Sequence, residues 1–427
     1  MTAEIAVLNQ EAVALAADSA VTGPKIFTSA NKIFSLSQYH PVGVMVYNNA
    51  QFLGVPWETI IKSYRKDLGK RSFATLRDQA AHFLGYFDQP NRMFSEPAQR
   101  NSARAVFTHG LAEIRDRIDE RLEDLLDSRG PLTKRDVSSV TGSAINQAHR
   151  AWMAAHASPA LPDDHASSVI ASYEAEIDQA IDAAFEMLPL TPLRRGKLRD
   201  IAGALVSRGA PNRDGPFHSG VVIAGFGRHD VFPGLYSFEF EAITLNRLKY
   251  VGGQEIEISP ESRAVIVPFA QKEQVDTFMT GFDPSLSFRV QAYWESMPYA
   301  IEDAVASVKA LSDESRKDLV VALRKRCEEL LVEYSTGLQE IIHGEYVWPI
   351  IRVVAMLPKD ELAAMAESLV NLTSFKRKIS EQAETVGGPI DVAVISKGDG
   401  FVWIKRKHYF LPELNRQFLA NYNREDL

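Results

Sequence analysis

Apolar residues near the start of the chain come in short alternating blocks. Ile5 and Val7 alternate with Ala6 and Leu8, and Val13 and Leu15 alternate with Ala12, Ala14 and Ala16. A period of two predicts two strands, joined by a turn at Asn9-Gln10-Glu11. Gly23-Pro24 breaks the chain, Lys32 opens a third strand-like run at 33–36, and residues 42–47 read as a fourth. The period then lengthens. Ile60, Ile61 and Tyr64 form a helical stripe after Pro56-Trp57-Glu58 and stop at Gly69; Phe73, Leu76, Ala80, Phe83, Leu84 and Phe87 form another. From about 101 to 212 the spacing is helical throughout. Its repeats are Leu111, Ile114, Ile118, Leu122 and Leu125; Val137, Ile145 and Trp152; Ile170, Tyr173, Ile177, Ile181 and Phe185; then residues 193–206.

Strand patterns return at 220–226 and 235–240, separated by the turn residues Arg228 to Asp230 and Pro233-Gly234, with a further short strand at 265–270. Gly252-Gly253 and Gly225-x-Gly227 read as turn glycines. Helices are expected at 274–279, 288–311, 313–334 and 360–371, and a final strand pair at 390–396 and 401–404 turns through Gly398-Asp399-Gly400. The pattern predicts an α+β fold in which strand-bearing segments at 1–95, 216–280 and 359–427 alternate with helical segments at 96–215 and 281–358.

Bulk properties narrow the function only a little. The 427 residues carry a net charge of −8, which argues against a nucleic-acid partner, since that would want a basic face. The lone Cys327 excludes an internal disulfide framework and fits a reducing compartment. It falls in the helical pattern of Leu319, Leu323 and Leu330 and reads as buried filler. No signal peptide and no membrane-spanning run is visible, so the expected location is cytoplasmic. The histidines show no metal-ligand spacing, so no metal or cofactor is expected.

The chemistry is concentrated at the front. Thr2 follows the initiator Met, and removal of Met1 would leave a hydroxyl and a free amine on one residue, a nucleophile and a base together. Asp18 stands where the second apolar run stops, and Lys32 begins the next. A sheet of this kind brings Thr2, Asp18 and Lys32 together. Asp18 and Lys32 alone fit equally well a buried ion pair that only fixes a sheet.

Thr2, the run Ala14-Leu15-Ala16-Ala17-Asp18-Ser19-Ala20-Val21-Thr22 and the run Asn31-Lys32-Ile33-Phe34 resemble a proteasome β subunit, a member of the N-terminal-nucleophile hydrolases. The hairpin at 221–240 and the Gly387-Gly388 before a late strand are similar to the same family. The resemblance covers about half the chain and implies a four-layer αββα sandwich, here with the large helical insertion. It also implies that Thr2 is the nucleophile, with Lys32 beneath it and Asp18 holding the lysine. Asn48 is the nearest match to the oxyanion donor, although the family's usual glycine is absent; Ser19 and Thr22 are assigned with it to oxyanion and substrate binding. Where the family carries an acid and a serine before the Gly-Gly, this chain has Ala383 and Val386, so Glu384 or Thr385 is assigned the supporting role.

The implied activity is that of a threonine-type peptidase or amidohydrolase on a peptide or amide substrate. The Thr2 amine, ordinarily titrating at ~7.7–8.0, would take the hydroxyl proton. The family's ring assembly implies a homo-oligomer. Two alternatives stand beside this reading: a small-molecule amidase with the same nucleophile, and a catalytically inactive proteasome-like scaffold acting on a protein partner through the helical insertion.

Overall fold

The computed structural model describes residues 3–22, 26–27, 29–90, 92–209, 218–308, 312–379 and 387–408, with single residues beyond. Thr2, Glu384 and Thr385 lie outside the described residues. In chain order the strands before the first helix are Ala3–Asn9 (β1), Ala12–Ala17 (β2), Val21–Thr22 (β3), Ile26–Phe27 (β4), Ile33–Ser35 (β5), Val42–Tyr47 (β6), Gln51–Phe52 (β7) and Val55–Pro56 (β8). Helices follow at Trp57–Leu68 (α1), Leu76–Gly85 (α2), Glu96–Arg129 (α3), Lys134–Ala154 (α4), His165–Ser172 (α5), Glu174–Phe185 (α6) and Pro192–Leu205 (α7). Then come Ser219–Gly225 (β9), Gly234–Thr244 (β10), Arg247–Glu257 (β11) and Ala264–Ala270 (β12). The last stretch holds Glu273–Thr280 (α8), Pro284–Ser307 (α9), Asp313–Ile341 (α10), Trp348–Val354 (α11), Lys359–Lys378 (α12), Asp391–Ser396 (β13) and Gly400–Lys405 (β14). The fold is mixed α+β with antiparallel sheets.

Contacts divide the chain into two compact units. The first takes the described residues of Met1–Ser29, Ile258–Val394 and Val402–Leu427. Its sheet runs β12-β1-β2-β13-β14. The β1–β2 register pairs Ile5 with Ala16 and Val7 with Ala14. Odd positions of β1 and even positions of β2 therefore share a face, and that face packs on Leu362, Ala363, Ala366, Leu369 and Val370 of α12. Small side chains here let the helix approach the sheet closely.

The second unit takes Ala30–Glu257 and Ile395–Phe401. Its sheet runs β11-β10-β9-β6-β5 and is antiparallel throughout. One face carries an aromatic core in which Phe52, Trp57, Phe83, Phe87, Phe94 and Phe240 meet ring to ring. Capping boxes start two of its helices, Thr75 with Asp78 on α2 and Thr133 with Asp136 on α4. Helices α3 to α7 enclose a core of their own, including Phe107, Ile114, Ile145, Ile177, Phe185 and Ile201.

Two expectations are corrected. Gly252 and Gly253 lie inside β11, not in a turn. This strand is an exposed edge with an irregular register between Tyr236 and Phe238, so it lacks the apolar alternation that would reveal it. A Cβ on Gly253 would stand 2.4 Å from Ser237 Oγ, which explains the glycine. Cys327 is half-exposed rather than buried, because α10 carries no buried residue at all. Among the described residues no helix is long and apolar enough to cross a membrane.

Gly220 sits opposite Tyr47 in the β6–β9 pair, and a Cβ there would meet the tyrosine ring at 2.0 Å. Gly220→Ala should cost about 1–3 kcal/mol by overpacking. Urea unfolding should show a smaller cost in a Tyr47→Ala background, and strict additivity would contradict this account.

His165 is buried on α5 and its Nε2 lies 2.8 Å from Thr244 Oγ1. Burial holds its pKa below the ordinary value, with Arg247 adding to the shift and Asp164 opposing it. The folded state resists the proton that the unfolded chain accepts near about 6.5. Stability should therefore be full above that pH and fall as pH drops from it toward the lowered folded value. His165→Gln keeps a donor for Thr244 and should flatten the fall. His82 is shifted the same way by burial and Arg71, so the comparison of wild type with His165→Gln isolates the His165 share.

Candidate functional site

The end of β2 is where the candidate residues converge. Asp18 directly follows β2 and is almost completely buried. The strand register sets Ala3 beside it, and Asp18 N–H donates to the Ala3 carbonyl at 3.1 Å. The Asp18 side chain returns the bond: Oδ1 accepts from Ala3 N–H at 3.1 Å. Its Oδ2 accepts from Ala20 N–H at 3.3 Å and from Gly387 N–H at 2.9 Å. One carboxylate thus ties together the start of β1, the turn after β2 and the segment leading to β13. Burying a carboxylate is costly without such donors. Ser19 joins the same knot. Its N–H donates to Gly387 carbonyl at 3.3 Å and its hydroxyl to Pro389 carbonyl.

Ala3 is the residue after Thr2, so this knot fixes the chain one peptide bond from the proposed nucleophile. Gly387 likewise follows the 383–386 stretch, which holds Glu384 and Thr385. Thr22 pairs through its backbone with Ile26 in the β3–β4 ladder. The structure therefore groups Asp18, Ser19, Ala3 and Gly387 within the first unit.

Lys32 and Asn48 belong to the second unit. Lys32 is 4% exposed, a buried ammonium at the head of β5, and its carbonyl accepts from Val46 N–H at 2.8 Å. Asn48 ends β6 two residues further on. It adopts φ +66°, a conformation asparagine tolerates better than most residues, and its Nδ2 donates to the His218 ring nitrogen at 2.7 Å. Asn48 thus terminates the strand and engages a histidine that sequence reasoning did not single out.

Sequence reasoning also passed over Glu4. It is fully buried on β1, two positions from Thr2, and it alternates with Ala3 and Ile5, which face α12. It therefore points away from the α12 core. The signal was available: an acid inside an otherwise apolar strand is expensive and needs a reason. A cleft of about 180 Å³ in the second unit is lined by His40, Phe73, Gln79, Arg228 and Lys397 among others. Pro41 leads into the start of β6 whereas Asn48 follows its end, roughly 20 Å away at strand rise. The cleft is thus separate from the Lys32 end of that strand. Among the described residues no three His, Cys, Asp or Glu side chains stand close enough to hold a metal ion.

No protein-family model matches the chain, and no curated protein matches it.

Asp18→Ala leaves three buried N–H groups to find other partners and should cost about 2–4 kcal/mol, at ~1–3 kcal/mol for each donor left unmade less relaxation. Ser19→Ala should cost about 1 kcal/mol. Hydrogen exchange at the Ala3 and Gly387 amides should accelerate in Asp18→Ala and stay slow in Ser19→Ala; unchanged protection in both would remove Asp18 as the anchor.

Proposed function

We propose that the chain is a threonine-type N-terminal-nucleophile hydrolase acting on a peptide or amide bond. The observation that carries this reading is the Asp18 carboxylate accepting the Ala3 N–H, which anchors the residue next to Thr2 at the end of β2. In the proposed reaction Met1 is removed and the Thr2 hydroxyl gives its proton to the Thr2 amine. The oxygen adds to the substrate carbonyl, the protonated amine hands its proton to the leaving nitrogen, and an ester to Thr2 remains. Water, deprotonated by the same amine, then releases the acid and regenerates the hydroxyl. Lys32 is assigned to lower the amine's pKa and steady the alkoxide. A backbone N–H beside Asn48 is assigned to the oxyanion, and Glu384 or Thr385 to orienting the amine.

The proposed architecture is the αββα sandwich. A five-stranded sheet with a helical cover on one face, present in each unit, supports it. The single cysteine supports a reducing compartment, and the proposed location is cytoplasmic. The inactive-scaffold reading has its own support. Ala383 and Val386 replace the family's acid and serine, and the Asp18 oxygens are already engaged by backbone donors.

Intact mass and a β-lactone or epoxyketone probe separate the two. The hydrolase reading expects Met1 to be absent and the label to sit on Thr2. Thr2→Ala should abolish labelling, and Lys32→Met should slow it at least about 100-fold, the low end of proton-transfer contributions, while keeping the wild-type circular dichroism. Retained Met1, or labelling that survives Thr2→Ala, sinks the proposal.

A further inference from the structure

We propose that the hairpin of α9 and α10 is a self-association surface whose occupant is a second copy of this chain, laid antiparallel along α10. The two helices are 24 and 29 residues long, yet Val305 is their only buried residue among those described. They meet along one seam, where Trp294 lies 5.3 Å from Tyr334 and Arg324 pairs with Glu302. Beside that seam α10 keeps large apolar side chains in solvent: Leu319, Leu330 and Ile341 are 38%, 41% and 51% exposed. With about 100° of turn per residue, Leu319, Leu323, Arg326, Leu330, Glu333, Gly337 and Ile341 fall on one stripe. Their three- and four-residue steps are the repeat of a two-helix seam. The stripe runs about 33 Å at 1.5 Å per residue, long enough for a continuous interface.

Charge selects the occupant and its direction. The first half of α10 holds Arg316, Lys317, Arg324, Lys325 and Arg326 against Asp313, Glu314 and Asp318. The second half holds Glu328, Glu329, Glu333 and Glu340 with no lysine or arginine. A copy laid parallel sets like charge on like charge. An antiparallel copy sets the basic half on the acidic half. With the twofold axis at Leu330, Leu319 meets Ile341 of the second copy and Arg326 lies beside its Glu333. Leu323 faces Gly337, where nothing stands within 4 Å of an added Cβ and a leucine has room. Within one chain Arg326 reaches Glu329 at 3.1 Å and Glu333 at 3.5 Å, with all three side chains exposed. Such pairs are weak in water and readily exchanged for the same contacts across an interface. The arrangement uses one patch twice and closes as a dimer.

Sedimentation equilibrium of the full chain up to high micromolar concentration tests this. The expected result is a concentration-dependent rise to twice the chain mass. Arg326→Glu and Glu333→Arg, each alone, place two like-charge contacts across the axis and should weaken the dimer by about tenfold or more. An equimolar mixture of these two variants restores both contacts as opposite charges and should recover dimer. Leu330→Glu, which meets itself on the axis, should give monomer with unchanged circular dichroism. A wild-type monomer at every concentration, a dimer indifferent to these substitutions, or a mixture that stays monomeric overturns the proposal. None of these readouts depends on Thr2, so their failure is distinct from failure of the hydrolase reading.

Discussion

A single buried carboxylate sets the geometry on which the candidate site rests. Asp18 accepts main-chain N–H bonds from Ala3, Ala20 and Gly387, three points far apart in sequence. The first donor sits where it does because of strand register: Glu4 opposite Ala17 brings Ala3 level with the residue that follows β2. A slip of one residue would turn Ile5 and Val7 off the α12 core and at the same time strip the carboxylate of its first donor. Packing and hydrogen bonding therefore specify the same register. Agreement of that kind makes the position of Ala3 a property of the whole sheet.

The two sheets achieve burial by different means. In the first unit, Ala12, Ala14 and Ala16 face Ala363 and Ala366 of α12. Little side-chain volume separates sheet from helix, and β1 and β2 are buried along their whole length. In the second unit large rings fill the equivalent space, with Trp57 and Phe87 both against Phe240. The alanine-rich layer leaves little slack for the backbone beside Asp18, which is the rigidity the proposed nucleophile would need. The aromatic layer carries the second unit's sheet and its α1–α2 cover, and the α3–α7 block adds a separate core beyond it.

Much of this was legible in the residues. The alternation through Leu8 and Ala16 marks β1 and β2, and the apolar repeat from Leu111 to Leu125 marks the helical block, because in both cases burial imposes the period on the sequence. Strand β11 was not legible. It is an edge, so one side of its backbone and most of its side chains face water, and burial leaves no imprint on Gly252-Gly253-Gln254. The site was partly legible. An acid at the end of an apolar run identifies Asp18, but the sequence cannot say that its partners are backbone amides, since every residue but proline carries one. The order of elements alone does not tell that Lys32 falls in one compact unit and Asp18 in the other. Glu4 was legible in principle, as a lone acid inside an otherwise apolar strand.

Buried charge by itself does not identify chemistry in this molecule. Lys249 on β11 is as deeply buried as Asp18. Burial lowers its pKa while Glu241 opposes the shift, and its ammonium donates to the Leu205 carbonyl at the end of α7 at 2.8 Å. That pair fastens the helical block to the sheet. Asp391 and Lys407 form a second such couple at the start of β13. Both couples join side chain to side chain and also reach main chain, at the Leu205 carbonyl and the Lys407 N–H. Asp18 accepts from three main-chain N–H groups, which fix backbone positions, and one of those groups belongs to the residue joined to Thr2. A staple needed only for stability could use any neighbouring amide. The hydrolase proposal stands on Asp18 holding the amide next to Thr2, the residue that the proposed removal of Met1 would leave with both a nucleophile and a base.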